Sequence, residues 1–265
     1  MRLEERYPMA LQLYHGGPGA NSLKPLLVLA EKNIPYVDRF IDFAQFQQHD
    51  PDFVKINPRG QVPVLVLDDG RTITESTVIC EYLDAIYPDQ VPLRPKDEYW
   101  RAQMRIWTKF VDEYFCWCVS TLGWEALGKM FVRDMPEDEF EAYVARVPVH
   151  EQKVKWRNAR KGFGEAVLEE ERRKVCYSVE KLEGDLSKRK WLAGEAYSLA
   201  DICVYAIAMS VPRMMPETMN ETATPHAMKW LHSIEERPAT RKVMASTPKR
   251  GILPTREAHL AAKRA

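Results

Sequence analysis

The chain has 265 residues, 45% apolar and 29% charged, with 38 Lys and Arg against 38 Asp and Glu. That length allows one or two domains with a real core, and the balanced charge argues against nucleic acid or an anionic membrane surface as a partner. The opening MRLEERYPMA lacks a signal-peptide core, no apolar run approaches the ~20 residues that span a bilayer, and five cysteines at spacings unlike a disulfide framework point to reduced thiols in a cytoplasm.

ALQLY (10–14) alternates apolar and polar like a strand. YHGGPGANSLKP (14–25) puts a bare loop before a helix over 22–32, where Leu23, Leu26, Leu27 and Ala30 recur at helical spacing. PYVDRFID (35–42) reads as a second strand, and the polar stretch with Phe46 and Phe53 as partly helical. VPVLVLDDGRTIT (62–74) reads as a hairpin with Gly70 as the left-handed residue. STVICEYLDAIY (76–87) predicts a helix with Ile79, Tyr82, Leu83 and Ile86 inward. The order β-α-β-α-β-β-α predicts a parallel pair from strand–helix–strand and an antiparallel pair from the hairpin.

PDQVPLRPKDE (88–98), with Pro88, Pro92 and Pro95, has linker chemistry. Everything beyond it reads helical. Trp100, Met104, Trp107, Val111, Tyr114 and Cys118 form one stripe, and a charged helix follows MPEDEF (135–140). Residues 166–188 carry Leu168, Val175, Val179, Leu182 and Leu186 on one side. SLADICVYAIAMS (198–210) predicts a central buried helix, capped by Ser198 with Asp201 reaching back. The Lys- and Arg-rich tail after Pro238 reads as a solvated terminal helix. The fold class expected is α+β, with units at 9–88 and 96–246 and a basic tail at 247–265.

The first turn of a helix has free N–H groups, and its dipole favours negative charge. Asn21 or Ser22 is expected as the cap, Pro25 fits the first turn, and Gly16, Gly17 and Gly19 keep side chains out of the approach. The loop either admits an anion or is a plain strand-to-helix turn. It has no GxGxxG or Walker pattern, so a nucleotide is not indicated. In INPRGQVPVL (56–65), Pro63 at the strand entrance leaves the backbone of Val62 open to an extended peptide. Glu75 and Ser76 open another helix. Two helix ends and one strand edge suit a short, anionic, thiol-bearing peptide. A Cys-x-x-Cys redox role fails, because GANS stands where that motif would be and Cys116 and Cys118 point to different sides of a helix. The histidines show no ligand spacing, and no metal is expected.

NPRGQVP, ITES and SLADI, in this order and spacing, resemble the glutathione transferase superfamily. GPGANSLKP, INPRGQVPVL, TESTVICEYL, WTKFVDEYFCWCVSTLGW and YSLADIC resemble its bacterial glutathione-dependent β-aryl etherases of lignin breakdown, the branch associated with the S-configured ether. The match covers 10–124 and 151–210. The resemblance implies a thioredoxin-like N-terminal domain, an all-α C-terminal domain, glutathione as co-substrate and a cytoplasmic homodimer. It places the glutathione thiol at Ser22, with Asn21 as the alternative donor; neither is a strong base, so a thiolate is stabilised rather than generated by deprotonation. It implies a cis Val62–Pro63 bond and a glutathione site of Gln61, Val62 and Pro63, with Glu75 for the γ-glutamyl ammonium, Ser76 for its carboxylate and Gln48 at the glycine end. Phe115, Trp117 and Trp124 are expected to line an aromatic substrate pocket, with Trp107 and Tyr114 in the core. The implied reaction is displacement of a phenolate from the carbon beside a ketone, with inversion and S preference. Two alternatives stand beside it: a general glutathione transferase acting on another electrophile, and a non-catalytic glutathione-fold binding protein.

Overall fold

The computed structural model describes residues 11–246. β1 (Gln12–His15) lies between β2 (Val37–Phe40), parallel to it, and β3 (Val64–Val66), antiparallel to it; β4 (Thr72–Ile73) closes the sheet in the order β2-β1-β3-β4. The parallel pair and the hairpin are those expected, and Gly70 takes φ +84° at the turn. Leu13, Val64 and Leu65 are fully buried. α1 (Ala20–Glu31) crosses between β1 and β2, burying Leu23, Leu26 and Leu27. Two 3-10 turns, Phe43–Gln45 and Gln47–His49, lead to α2 (Pro51–Ile56), and α3 (Ser76–Ile86) follows the hairpin. In α3, Ile79 and Leu83 are buried, while Tyr82 and Ile86 pack at the core's edge.

The proline-rich stretch after α3 is held down by a buried charge. Lys32 Nζ donates to the carbonyls of Tyr87 (3.0 Å) and Val91 (2.9 Å) and pairs with Asp84 at 2.8 Å. Asp84 also accepts from Leu93 N–H (3.1 Å) and Arg94 Nε (2.6 Å). A buried ammonium left alone costs several kcal/mol, on the order of 3–5 when a partner is removed, and three acceptors remove that penalty here.

The helical part begins with a long rod over 98–132. It runs through α4 (Glu98–Phe110), a π-helical turn (Val111–Phe115), α5 (Cys116–Gly123), a second π turn (Trp124–Gly128) and α6 (Lys129–Val132). Asp97 caps it, accepting from Trp100 N–H at 3.0 Å. The first π turn rotates the inward face. Met104, Trp107, Val111 and Cys118 are buried as the stripe predicts, but Phe115 takes the core position and Tyr114 stacks on Phe110 at the edge, 5.3 Å between ring centroids. α7 (Glu137–Arg146) and α8 (His150–Lys161) pack in a second cluster around Phe140, Tyr143 and Trp156. α9 (Glu165–Leu186) buries the five residues expected of it. α10 (Leu199–Ala208) is buried along its whole length and packs on α1 and α4. Its capping box is present: Ser198 Oγ accepts from Ala200 N–H and Asp201 from Ser198 N–H.

α11 (Val211–Met214), α12 (Pro225–Glu235) and α13 (Pro238–Ser246) complete the described chain. The start of the expected solvated terminal helix is instead docked. α13 packs on α1 with Thr240 and Val243 buried, and Arg237 NH2 reaches Glu31 at 2.9 Å. The tail 247–265 lies outside the described residues. Among those described, no helix is long and apolar enough to cross a membrane.

Candidate active site

The bare loop ends in a helix start that has no side-chain cap among the described residues. The cap position is Gly19, and neither Asn21 nor Ser22 occupies it, because α1 begins at Ala20. Pro25 therefore falls in the second turn, where it cannot donate to the Asn21 carbonyl. Ser22, 4% exposed, turns back on the loop: its Oγ accepts the Gly16 N–H at 3.2 Å, leaving its own proton to donate. Gly17 N–H donates to His15 Nδ1 at 3.1 Å, so the proton of His15 is on Nε2, which donates to Asp38 at 3.0 Å. A Cβ on Gly16 would collide with the Phe43 ring, whereas one on Gly19 would meet nothing within 4 Å among the described residues. Gly16 is thus fixed by packing, and Gly19 leaves an open approach to first-turn N–H groups that have no partner within the helix.

Sheet register brings the other expected residues to the same place. Tyr14 pairs with Val64, and Leu65 with Ile73. Extending these antiparallel registers by two residues sets Gly16 opposite Val62 and Glu75 opposite Pro63. The Val62–Pro63 peptide is cis, as expected. Asn57, buried, holds the loop before it, donating Nδ2 to the Gln61 carbonyl at 2.6 Å and accepting Arg59 N–H at 3.1 Å. The side chain of Gln61 accepts from Arg59 Nε at 3.2 Å. Among the described residues the backbone N–H and carbonyl of Val62 have no partner. Glu75 is exposed, sits at φ +64° and ψ 110°, and its carboxylate also has no partner among the described residues. For a residue with a Cβ that backbone is strained by about 1–3 kcal/mol. Ser76 and Thr77 behind it are buried at the start of α3. Gln48 is buried, and its Oε1 has no hydrogen-bond partner among the described residues. Beside it, burial and Arg146 push His49 down to about 4, so the ring is neutral, and its Nδ1 meets Tyr143 Oη at 2.8 Å.

Of the three residues expected to line a pocket, two are available. Trp117 is 59% exposed, and Trp124 is half-buried with its ring edge-on to Trp156, centroids 4.5 Å apart. Phe115, 1% exposed, belongs to the core, because the π turn carries it inward. A Cβ on Gly128 would lie 2.5 Å from the Trp124 ring, so this glycine makes room for the indole. The aromatic wall is joined to the helix start. Lys24 of α1, fully buried, donates to Asp112 of the first π turn at 2.7 Å. One turn on, Cys116 Sγ donates to Asn21 Oδ1 at 3.7 Å. Burial pushes the Cys116 thiol up, so it keeps the proton it donates. Among the described residues the Asn21 amide N–H groups have no partner.

Two residues of this arrangement are missed by sequence reasoning. Cys116 reads only as core or pocket lining. Lys155 lies in a basic run, QKVKWRNARK (152–161), with no local sign setting it apart. Its Nζ stands 5.1 Å from the centroid of Trp124 and 5.9 Å from that of Trp117, and donates to Ser120 Oγ at 2.8 Å.

Residues 9–85 match the family described as "Glutathione S-transferase, N-terminal domain", and residues 115–238 the one described as "Glutathione S-transferase, C-terminal domain". The chain is 48% identical to Protein LigF of Sphingobium sp. (strain NBRC 103272 / SYK-6) over 250 residues, 92% of this chain and 97% of that protein. It is 24% identical to Glutathione S-transferase 3 of Zea mays over 90% of this chain and 95% of that one. Among solved structures it is similar to the crystal structure of beta-etherase LigF from Sphingobium sp. strain SYK-6, with 49% identity and a TM-score of 0.88 over 90% of this chain and all of that one. A glutathione transferase homolog from Sulfitobacter with bound glutathione shares the fold at 22% identity and a TM-score of 0.67, over 89% of this chain and 97% of that one.

Proposed function

The chain belongs to the glutathione S-transferase family, and on that footing we propose that it is a glutathione-dependent etherase cleaving the β-O-4 bond of α-keto aryl ethers from lignin. The observation that carries this reading is the junction between the two halves: Cys116, next to the exposed Trp117, is hydrogen-bonded to Asn21, next to Ser22 at the start of α1. The likeness to beta-etherase LigF favours ether cleavage over conjugation of another electrophile.

Glutathione fits the open groups at the end of the sheet. Its ammonium pairs with Glu75, and its γ-glutamyl carboxylate takes the N–H groups at Ser76. Its cysteinyl backbone adds to Val62, between Gln61 and Pro63, and its glycine end turns toward Gln48. The sulfur then lies at the start of α1. A free cysteine thiol has a pKa of about 8.5, which a helix N-terminus and hydrogen-bond donors lower. The donors are Ser22 Oγ–H and the Asn21 amide. The thiolate attacks the carbon bearing the aryloxy group, on the side opposite the leaving oxygen. A phenol's pKa of about 10, like that of tyrosine, makes phenolate an acceptable leaving group, and the adjacent carbonyl activates the carbon. The alcohol analogue, lacking that activation, is not cleaved. The products are a phenol and an inverted glutathione thioether, with the S enantiomer consumed. In this reading the protein is a cytoplasmic homodimer acting on small aromatic ethers, without metal, nucleic acid or membrane partners.

The test is incubation of a racemic β-aryloxy aryl ketone with glutathione, followed by chiral chromatography. The S ether is expected to disappear with the R ether left over. Equal consumption of both contradicts the stereochemical assignment. Ser22→Ala is expected to raise the pKa of bound glutathione and slow turnover about 10-fold, since one of several donors is lost and the helix N–H groups remain. Ultraviolet thiolate absorbance against pH reads this directly; an unchanged profile would transfer the role to Asn21 or to the backbone.

A further inference from the structure

α8 brings Lys155 onto the aromatic wall. Its neighbours on the same helix find ordinary surface partners: Lys153 the Ala145 carbonyl, Arg157 the carboxylate of Glu141, Arg160 that of Glu137. Lys155 has no carboxylate among the described residues. It is turned instead across two indoles and onto one hydroxyl, all within 117–124 of the rod. An ammonium has three N–H donors. Ser120 takes one, and the others remain for whatever lies against Trp117 and Trp124. That is where the etherase reading puts the aryl rings, on the rod segment that begins beside Cys116 and its bond to Asn21.

We infer that Lys155 is a catalytic residue that hydrogen-bonds the departing aryloxy oxygen and delivers a proton to it as the ether bond breaks. The inference rests on the etherase reading. In the step, the sulfur–carbon bond forms and the carbon–oxygen bond breaks, its electron pair passing to the aryloxy oxygen. That oxygen takes a proton from the ammonium, giving a neutral phenol and a neutral amine. Solvent reprotonates the amine, and the thiol's own proton has already left to solvent, so the cycle is balanced without another reactant.

The groups facing Lys155 are Cys116, Trp117 and Ser120 from α5 and Trp124 from the second π turn. Burial pushes Lys155 down to about 8, and Cys116, the one titratable group among these neighbours, is itself pushed up by burial and stays a neutral thiol. The acid is therefore charged at neutral pH and more acidic than an ordinary phenol, whose pKa is about 10, so transfer to the phenolate runs downhill. The glutathione thiolate needs rising pH and Lys155 needs falling pH. The rate should be bell-shaped, with its alkaline limb near 8 set by Lys155.

The experiment uses a set of keto ethers differing in the leaving phenol, from acidic nitrophenols to weakly acidic methoxyphenols. Lys155→Met keeps the stem and removes the charge. Its kcat should fall on the order of 100-fold for methoxyphenols, hardly at all for nitrophenols, with glutathione affinity unchanged and the alkaline limb gone. Lys155→Arg keeps the charge without a transferable proton, so its rates should fall between and its alkaline limb should move beyond the Lys155 range; this variant carries the test if Lys155→Met does not fold. An equal loss for every leaving group, or none, overturns the proposal while leaving the etherase reading intact. Absence of phenol release by the unaltered protein from every ether overturns that reading and the role of Lys155 with it.

Discussion

Asp201→Ala is expected to lower the unfolding free energy by about 3–5 kcal/mol, because several buried donors lose the one acceptor they share. The carboxylate is completely buried at the start of α10 and accepts from four donors: Leu192 N–H (3.0 Å), Ser198 N–H (2.9 Å), Ser198 Oγ (3.0 Å) and Trp230 Nε1 (2.9 Å). Burial pushes its carboxyl up to about 6 while these donors pull the other way, so at neutral pH the group is ionised and acts only as an acceptor. Alanine would strand all four donors away from water, each at about 1–3 kcal/mol less any relaxation. The loss reaches the site, because α10 supports α1 from beneath. Asp201→Asn keeps one acceptor oxygen and should lose less. Equilibrium denaturation at neutral pH measures both; a loss under about 1 kcal/mol in Asp201→Ala would mean the network contributes little.

Glu75→Ala is expected to weaken glutathione binding by roughly 10- to 100-fold, since a hydrogen bond to a charged group is worth about 1.5–3 kcal/mol. The same change should leave the stability of the free protein nearly untouched, since alanine keeps the Cβ and the carboxylate has no partner to lose among the described residues. The reason is the pairing of two observations at one residue: a carboxylate without a partner among the described residues, on a backbone at φ +64°. In the proposed site a ligand ammonium supplies the partner that this carboxylate lacks among the described residues. Glutathione should raise the melting temperature of the unaltered protein, as any ligand of the folded state alone does, and Glu75→Ala should abolish most of that rise. Calorimetric titration finding unchanged affinity would remove Glu75 from the site.

These two residues also show what the sequence makes legible. Asp201 is readable from S-L-A-D before an apolar run, and Glu75 from T-E-S before a helix, because capping and helix opening are local. The helices α9 and α10 are readable for the same reason, since apolar periodicity decides the face of α9 and an almost unbroken apolar run marks α10 as buried. The start of α1 is not. A glycine cap leaves no side-chain sign, and Asn21 and Ser22 look like caps when they are helical residues holding the loop and Cys116. The π turn at 111–115 is likewise silent. A strict helical repeat puts Tyr114 in the core and Phe115 outside, and the structure exchanges them. Lys155 depends on α8 meeting a rod segment some thirty positions away, and no local pattern encodes such a meeting.

The central claim is ether cleavage by a thiolate held at the start of α1. Phenol release from a β-aryloxy aryl ketone, compared with and without glutathione and beside a halo-aromatic conjugation substrate, tests it most directly. Phenol formed only with glutathione, one equivalent for each thioether, with the halo-aromatic turned over poorly, is the result expected. Good conjugation of the halo-aromatic with no phenol from the ketone would contradict the account and make the protein a transferase for another electrophile.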